Sequence, residues 1–291
     1  YIGDWSSDVC SSDLGYDPAG MGEFFEKMGR ITRSMGEGPP EYLRTHPVSV
    51  SRIAEADNRA QNMPKPEPSD GLDFYLVQAR LRALSESLPD KALEWFDHRM
   101  ERADISQAEN DAIYYGRAIA LQRKGDYDEA RKLLTSLLDR EQHMAYELQL
   151  ADLELDSGQD GKSIDRLAGL YHNFPGNHAI SLQYANALLK GRDPEQAETA
   201  AVVLRQQLLT HPNDPRLFEL YARSSNIAGD QVRAKEAIAE SYYLRGGTHE
   251  AAMQLQELAG RDDLDYYQRA RITARINELR MELAKAGLDE E

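Results

Sequence analysis

Small residues recur along the middle of the chain at Ala118, Ala151, Ala185 and Ala222, and again at Ala130, Ser163, Ala197 and Ala234. Within each series the steps are 33, 34 and 37 residues, and the two series stay 12 residues apart throughout. A period near 34 residues, with small side chains where two helices must touch, restricts the chain to stacked helical hairpins. One such hairpin cannot bury its own apolar flank, so each depends on the next. No segment carries the two-residue alternation of a strand. The expected fold class is therefore all-α.

The punctuation between these small residues agrees with that reading. The spacing predicts a helix over 114–124, a turn at Gly125, Asp126 and Tyr127, and a partner helix over 128–138. Gly125 allows the left-handed backbone that leaves a helix, Asp126 is placed to cap the next one, and Ala130 lets the hairpin close. Later turns are expected at Gly158, at Arg192, Asp193 and Pro194, at Gly229 and Asp230, and at Gly246 and Gly247. Pro175, Pro212 and Pro215 fall between hairpins, where helices must stop. The longest step reflects a longer second helix over 194–210. Ala251 lies 17 residues after Ala234, half a repeat, so the helix near 237–244 is expected to serve both adjacent hairpins. Ile272, Ile276, Leu279 and Leu283 form one stripe of a closing helix over 264–283 whose outer residues are charged. Upstream, Phe74, Leu76, Ala79 and Leu81 to Ala83 begin the array, followed by a second, irregular helix over 91–100.

Charge and hydropathy narrow the class of partner. The 291 residues carry 50 acidic against 34 basic side chains, a net charge of −16. Tracking phosphates requires clustered Lys and Arg, so a nucleic acid partner is not expected. No run approaches the roughly 18 apolar residues that span a bilayer, so no transmembrane segment is expected.

The head of the chain departs from the repeat. Residues 4–14 resemble the translation of a short-read sequencing adapter, and residues 1–14 are set aside as an artefact. They include Cys10, the sole cysteine, so disulfide and thiol chemistry are not expected. From Gly15, Asp17 and Pro18 can start a helix with Met21, Phe24, Phe25 and Met28 on one face. A loop over 36–40 leads to Thr45, His46 and Pro47. Ser49 or Ser51 can cap a further helix running to about Gln61. Pro64, Pro66 and Pro68 in alternation read as a linker. The expected organisation is thus a head at 15–62, a linker at 63–70, and a repeat domain at 71–291.

Two family resemblances follow from these residues. Gly125-Asp126-Tyr127-Asp128-Glu129-Ala130 and the paired small-residue series resemble the tetratricopeptide repeat. The likeness is closest over 111–140 and looser over the next three hairpins and over 72–102. It implies a superhelical array whose first helices line a concave peptide-binding groove. Gly15-Tyr16-Asp17-Pro18, with Met21, Phe24 to Lys27, Thr45-His46-Pro47 and Ser51-Arg52-Ile53, resembles the C-terminal end of a HtpX/BepA-type zinc metallopeptidase domain. The BepA-like branch of that family joins such a domain to a tetratricopeptide array, and the order of parts here matches it over 15–291.

That resemblance implies a periplasmic zinc metalloendopeptidase and chaperone serving outer-membrane β-barrel assembly. Its chemistry needs His-Glu-x-x-His on a helix, two histidines on zinc with the glutamate activating water, and a later glutamate as third protein ligand. Here the His249-Glu250 pair is followed by Ala251, Ala252 and Met253, which breaks the motif. In the family the third ligand lies just before Gly-Tyr-Asp-Pro, where the adapter-like residues stand. The chain is therefore expected to begin just past the active site, to hold no zinc itself, and to be inactive in proteolysis alone. Its expected partners are the missing protease domain and protein clients or the barrel-assembly machinery. The alternative is a stand-alone tetratricopeptide adaptor with no enzymatic activity.

Candidate site residues divide in the same way. By the resemblance, His46 either approaches the zinc of the intact protein or is a helix-entry histidine with local hydrogen bonds. Arg52 either anchors the protease domain or is solvated. His172, His178 and His211 read as loop and helix-stop residues, and the tyrosine pairs at 242–243 and 266–267 as packing. The tetratricopeptide register points Tyr115, Ile119, Gln122 and Arg123 into the groove. After them come Leu148, Asp152 and Leu155, then Asn186, Leu189 and Lys190, then Arg223 and Asn226. This mixed lining suits an extended or unfolded polypeptide. The competing reading is that several of these residues pack one hairpin on the next, or against the protease domain.

Overall fold

The computed structural model describes residues 17–34, 50–63, 71–285 and 287. The adapter-like segment, Thr45-His46-Pro47, Ser49 and most of the proline linker lie outside the described residues. Fourteen α-helices and no strand occur among the described residues. The chain divides into two compact units, Tyr1–Asp70 and Gly71–Glu291.

In the first unit, α1 (Gly20–Ser34) packs on α2 (Val50–Gln61). The Asp17 carboxylate accepts the Ala19 N–H at 2.9 Å and opens α1. Gly22 marks the close approach, since a Cβ there would stand 2.0 Å from Asp57 Oδ1. Ala56 and Ala60 are buried, Phe25 and Met28 are partly covered, and Phe24 is not: it remains 52% exposed. One position off the packing stripe is enough to turn it outward.

The second unit is six hairpins. Their first helices are α3 (Leu72–Ser85), α5 (Gln107–Lys124), α7 (Met144–Asp156), α9 (His178–Leu188), α11 (Pro215–Ile227) and α13 (Thr248–Ala259). Their second helices are α4 (Pro89–Met100), α6 (Tyr127–Arg140), α8 (Asp160–Asn173), α10 (Pro194–Thr210), α12 (Gln231–Leu244) and α14 (Tyr266–Lys285). Each second helix but the last packs on its own first helix and on the first helix of the next hairpin. The α12 helix accordingly serves two hairpins, as the half-repeat step to Ala251 predicts. The small-residue series sits in these seams: Ala118, Ala151, Ala185, Ala130, Ser163 and Ala197 have no exposed surface, and Ala222 and Ala234 almost none. Where serine replaces alanine, the hydroxyl is satisfied without enlarging the seam. Ser163 Oγ donates to the Ala151 carbonyl at 2.8 Å, linking the two small positions of one hairpin.

Helix ends follow the expected chemistry with two corrections. Gly125, Gly158 and Gly229 have positive φ at turns within hairpins, as does Gly246 between α12 and α13, and the turn from α9 to α10 reaches the same region with Arg192 at φ 55°. Asp193, Asp214 and Asp230 each accept a backbone N–H from the helix they open. Asp126 does not. Its carboxylate accepts no N–H from α6 and lies 3.8 Å from Lys124 Nζ. The helix expected from 114 starts earlier, at Gln107, because Ser106 accepts the Glu109 N–H at 3.1 Å and forms one half of a Ser-x-x-Glu capping box.

Buried polar pairs and surface ladders tie hairpins together. Glu154, almost fully buried on α7, receives a two-pronged bond from Arg166 of α8 at 3.0 Å on each oxygen, and Arg166 also reaches Glu147 at 2.5 Å. The last helix is held to α12 by Glu236–Arg271 and Glu240–Arg275, each two-pronged, while Ile272, Ile276, Leu279 and Leu283 fill the seam beneath. Arg275 also lies over the Tyr243 ring at 4.5 Å.

The α4–α5 seam leaves no room at Gly116. Phe96 is fully buried, and a Cβ at Gly116 would stand 2.3 Å from the tip of its ring. Gly116→Ala is therefore expected to destabilise the array by about 1–3 kcal/mol, since a rigid ring in a filled core must move. Chemical denaturation measures this directly, and Phe96→Leu in the same chain should recover part of the loss. A Gly116→Ala midpoint at or above that of the parent chain would refute the packing.

Candidate functional site

The first helices of a hairpin array face one another along one side, and here α3 contacts α5, α5 contacts α7, α7 contacts α9 and α9 contacts α11. The side chains placed in the groove by register lie along this side, but they fall into two groups. Tyr115, Ile119, Gln122 and Leu189 are buried and pack inside the array. Leu148, Asp152 and Leu155 are half-buried, and Arg123, Asn186, Lys190, Arg223 and Asn226 are exposed.

Leu189 packs with α10 and α11, whereas Tyr115 and Ile119 are closed off by α3. Its residues Leu72, Leu76, Ala79 and Ala83 join Tyr115 and Ile119 in one apolar core, and Arg80 reaches across it. Arg80 donates to the Tyr115 hydroxyl at 3.2 Å and to Gln149 Oε1 at 2.6 Å. Gln149 Nε2 donates to Gln122 Oε1 at 2.7 Å, and Gln122 Nε2 donates to Asp156 Oδ2 at 2.7 Å. A relay of two amides thus runs from a guanidinium on α3 to a carboxylate on α7. Each member satisfies the next, which a buried amide requires.

The exposed cations are also engaged. Arg123 donates to the carbonyls of Ala83 and Glu86, the latter at 2.9 Å, at the end of α3. Lys190 donates to the Leu155 carbonyl at the end of α7 and pairs with Asp160 at 2.8 Å. Arg223 donates to the Leu189 carbonyl just past α9 at 3.3 Å. The final carbonyls of a helix lack intrahelical partners and carry the negative end of its dipole, so a cation from the next hairpin suits them. These residues join neighbouring repeats and still present part of their surface to solvent.

What stays open is a polar strip from α7 to α11. Asn186 donates to the Leu182 carbonyl of its own helix at 3.0 Å, and Asn226 accepts from Gln231 at 3.0 Å. Burial pushes the Asp152 carboxyl above its ordinary range, the neighbouring Asp156 adds to the rise, and a hydrogen bond from Gln183 opposes it. The strip presents amide and cationic side chains beside half-buried leucines. It contains no nucleophile–base pair among the described residues.

Register reasoning missed the Arg80–Gln149–Gln122–Asp156 relay and the Glu147–Arg166–Glu154 cluster. Their faint sequence signal is polar side chains at helical spacing inside otherwise apolar faces: Glu147 and Glu154 lie seven apart on one helix. His46 lies outside the described residues. His178 and His211 stack at 4.4 Å, with His178 against Gln207 and His211 against Thr210. Among the described residues no three His, Cys, Asp or Glu side chains cluster to hold a metal ion. They do not fit the zinc that the family resemblance implies. Nor is any described helix long and apolar enough to cross a membrane.

Helix order, turn geometry and small-residue seams define a tetratricopeptide-type array. The chain is a sequence relative of the beta-barrel assembly-enhancing proteases over nine-tenths of its length. It is 32% identical to the Escherichia coli K12 protein of that name over 267 residues, 91% of this chain and 53% of that one. It is also 32% identical to the Yersinia pestis protein over 273 residues, 91% of this chain and 54% of that one. The chain spans about half the length of the curated relatives it matches. No family model matches it. Among solved structures it is similar to a MamA RS-1 ArsTM double mutant (17% identity, TM-score 0.44, 61% of this chain and 98% of that one). It is also similar to the P58(IPK) TPR domain (14% identity, TM-score 0.29, 97% and 80%). Both likenesses are slight, and the repeat assignment rests on the geometry of this chain.

Two substitutions test the site's physical description. Gln149→Leu leaves Gln122 and Arg80 without their buried partner and is expected to cost about 1–3 kcal/mol in denaturant unfolding. A neutral result would show that the relay is not formed. Asp152→Asn should raise the thermal midpoint at neutral pH. The native carboxyl titrates above its unfolded value, so its protonated form stabilises the fold and that stabilisation is lost as pH rises. The advantage should shrink on acidification, as Asp152 itself becomes protonated. A lower midpoint for the asparagine variant at neutral pH would contradict the assigned desolvation.

Proposed function

We propose that this chain is the client-binding portion of a BepA-type zinc metalloendopeptidase and chaperone of the periplasm. In this reading the array captures extended or unfolded polypeptide, either barrel-protein clients or a component of the outer-membrane barrel-assembly machinery. The observation that carries it is the 32% identity to the Escherichia coli beta-barrel assembly-enhancing protease across 91% of the chain. The open strip of Leu148, Asp152, Leu155, Asn186, Lys190, Arg223 and Asn226 supports the same reading from geometry. Amides and mixed charges along a row of first helices suit main-chain and side-chain contacts with an extended segment.

Catalysis has no part in this chain's role. Its sequence contains no His-Glu-x-x-His, and the proposal assigns the zinc and the hydrolysis to the remainder of the intact protein. For His46 both readings given by the resemblance stay open: a place near the zinc of that intact protein, or a helix-entry histidine with local hydrogen bonds. Tyr115, Ile119, Gln122 and Leu189 support the site from beneath, and Arg123 from its edge.

Titrating the full chain with fluorescent unfolded barrel-protein peptides tests the assignment. Asn186→Arg with Asn226→Arg places bulk and charge on the open strip at exposed positions, so the fold should persist by circular dichroism. Peptide affinity should fall about tenfold, roughly 1.4 kcal/mol. Unchanged affinity in the double variant would remove the strip from the binding site.

A further inference from the structure

A carboxylate withdrawn from water needs a cation beside it, and this chain follows that rule with one exception. Among the described residues, every buried or half-buried Asp or Glu has an Arg, Lys or His within ion-pair distance except Asp152. Glu154, two residues further along α7, shows the rule, with Arg166 at 3.0 Å. Asp152 has only the side-chain amide of Gln183, a neutral donor that also serves the Leu148 carbonyl at 2.9 Å.

The cations around Asp152 are tied elsewhere. Arg80 spends its Nη1 on the Tyr115 hydroxyl and on Gln149. Arg123 sits on the carbonyls that end α3, and Lys190 on the Leu155 carbonyl and Asp160. The field of Arg80 still reaches Asp152, but burial outweighs it and holds the carboxyl above its ordinary range. The ionised group therefore costs the fold stability. Charges kept at such a cost collect where a protein binds or reacts.

The surroundings of Asp152 define what would match it. Leu148 and Leu155, four residues before and three after it on the same face of α7, are half-buried. Asp156, one turn further and exposed, accepts a single bond from Gln122 at 2.7 Å and has no cation of its own among the described residues. A lysine or arginine side chain combines an apolar stem, which would lie on the two leucines, with a cationic head, which would reach Asp152. We infer that Asp152 is a specificity-determining residue of the open strip, selecting polypeptide segments that place a basic side chain against α7. An acidic side chain there would meet a like charge, and a neutral one would leave the carboxylate unpaired. The inference rests on the strip being a polypeptide site and adds the chemistry that it selects.

The test uses the full chain and three fluorescent extended peptides that differ only in a central lysine, norleucine or glutamate, read by anisotropy at neutral pH. The lysine peptide should bind about tenfold more tightly than the norleucine peptide, and the glutamate peptide most weakly. Asp152→Asn should bring the lysine and norleucine peptides to within about twofold of each other. Asp139→Asn removes the same charge from an exposed position on α6 and should leave the preference for lysine intact. In the parent chain that preference should fade on acidification, as Asp152 takes up a proton and its charge is lost. Equal binding of the three peptides, each weakened by Asn186→Arg with Asn226→Arg, would overturn the inference and leave the strip as a polypeptide site. Equal loss of preference in Asp139→Asn and Asp152→Asn would overturn it in favour of simple attraction to the chain's net charge. Failure of all three peptides to bind would remove the polypeptide site and the inference together.

Discussion

The structure depends on contacts between small residues at the seams. Ala118 with Ala130, and Ala151 with Ser163, let two helix backbones approach closely enough for larger neighbours to interdigitate around them. The larger side chains then fill what the seam leaves open: Leu134 and Leu137 beside α5, Leu167 beside α7, and Leu204 and Leu217 between α10 and α11. Packing at interior density makes these positions intolerant of added volume. Gly116 beneath Phe96 is the limiting case, where not even a methyl group fits.

Polar chemistry between hairpins follows from that close approach. Once first helices lie side by side, the carbonyls at each C-terminus lie within reach of a long cation from the next repeat, and Arg123, Lys190 and Arg223 use that reach. The same proximity brings Arg80, Gln149, Gln122 and Asp156 into one relay and draws Arg166 between Glu147 and Glu154. Exposed members of such networks contribute little singly. The buried ones matter because removing one partner strands the other.

Much of this was legible in the residue order. The 12-residue offset between the alanine series places the seams of the four middle hairpins, the glycines mark the turns, and the Ile272–Leu283 stripe identifies the closing helix. Caps were legible where Asp precedes Pro, as at Asp193 and Asp214, but not at Asp126, which precedes Tyr127 and makes no side-chain cap. The open part of the candidate site was harder to see. Register places Tyr115, Ile119 and Gln122 on the inner side, yet their exposure depends on where α3 lies, and α3 is apolar on two faces. Periodicity identifies the apolar positions but not which face is covered: Phe74 and Leu81 begin the array beside Leu76 and Ala79, yet the structure leaves them outside. Resemblance to the metallopeptidase branch came from short motifs in their order, and the matched sequence relatives are named beta-barrel assembly-enhancing proteases.

Every substantial helix pairing in the array joins elements one or two places apart. Deformation is therefore shared as small rotations at many seams instead of one rupture. An extended chain lying along the α7–α11 strip would meet a surface whose pitch can stretch or tighten with its cargo, each seam yielding a little. The cost of fitting such a chain would then be spread over many seams instead of falling on one.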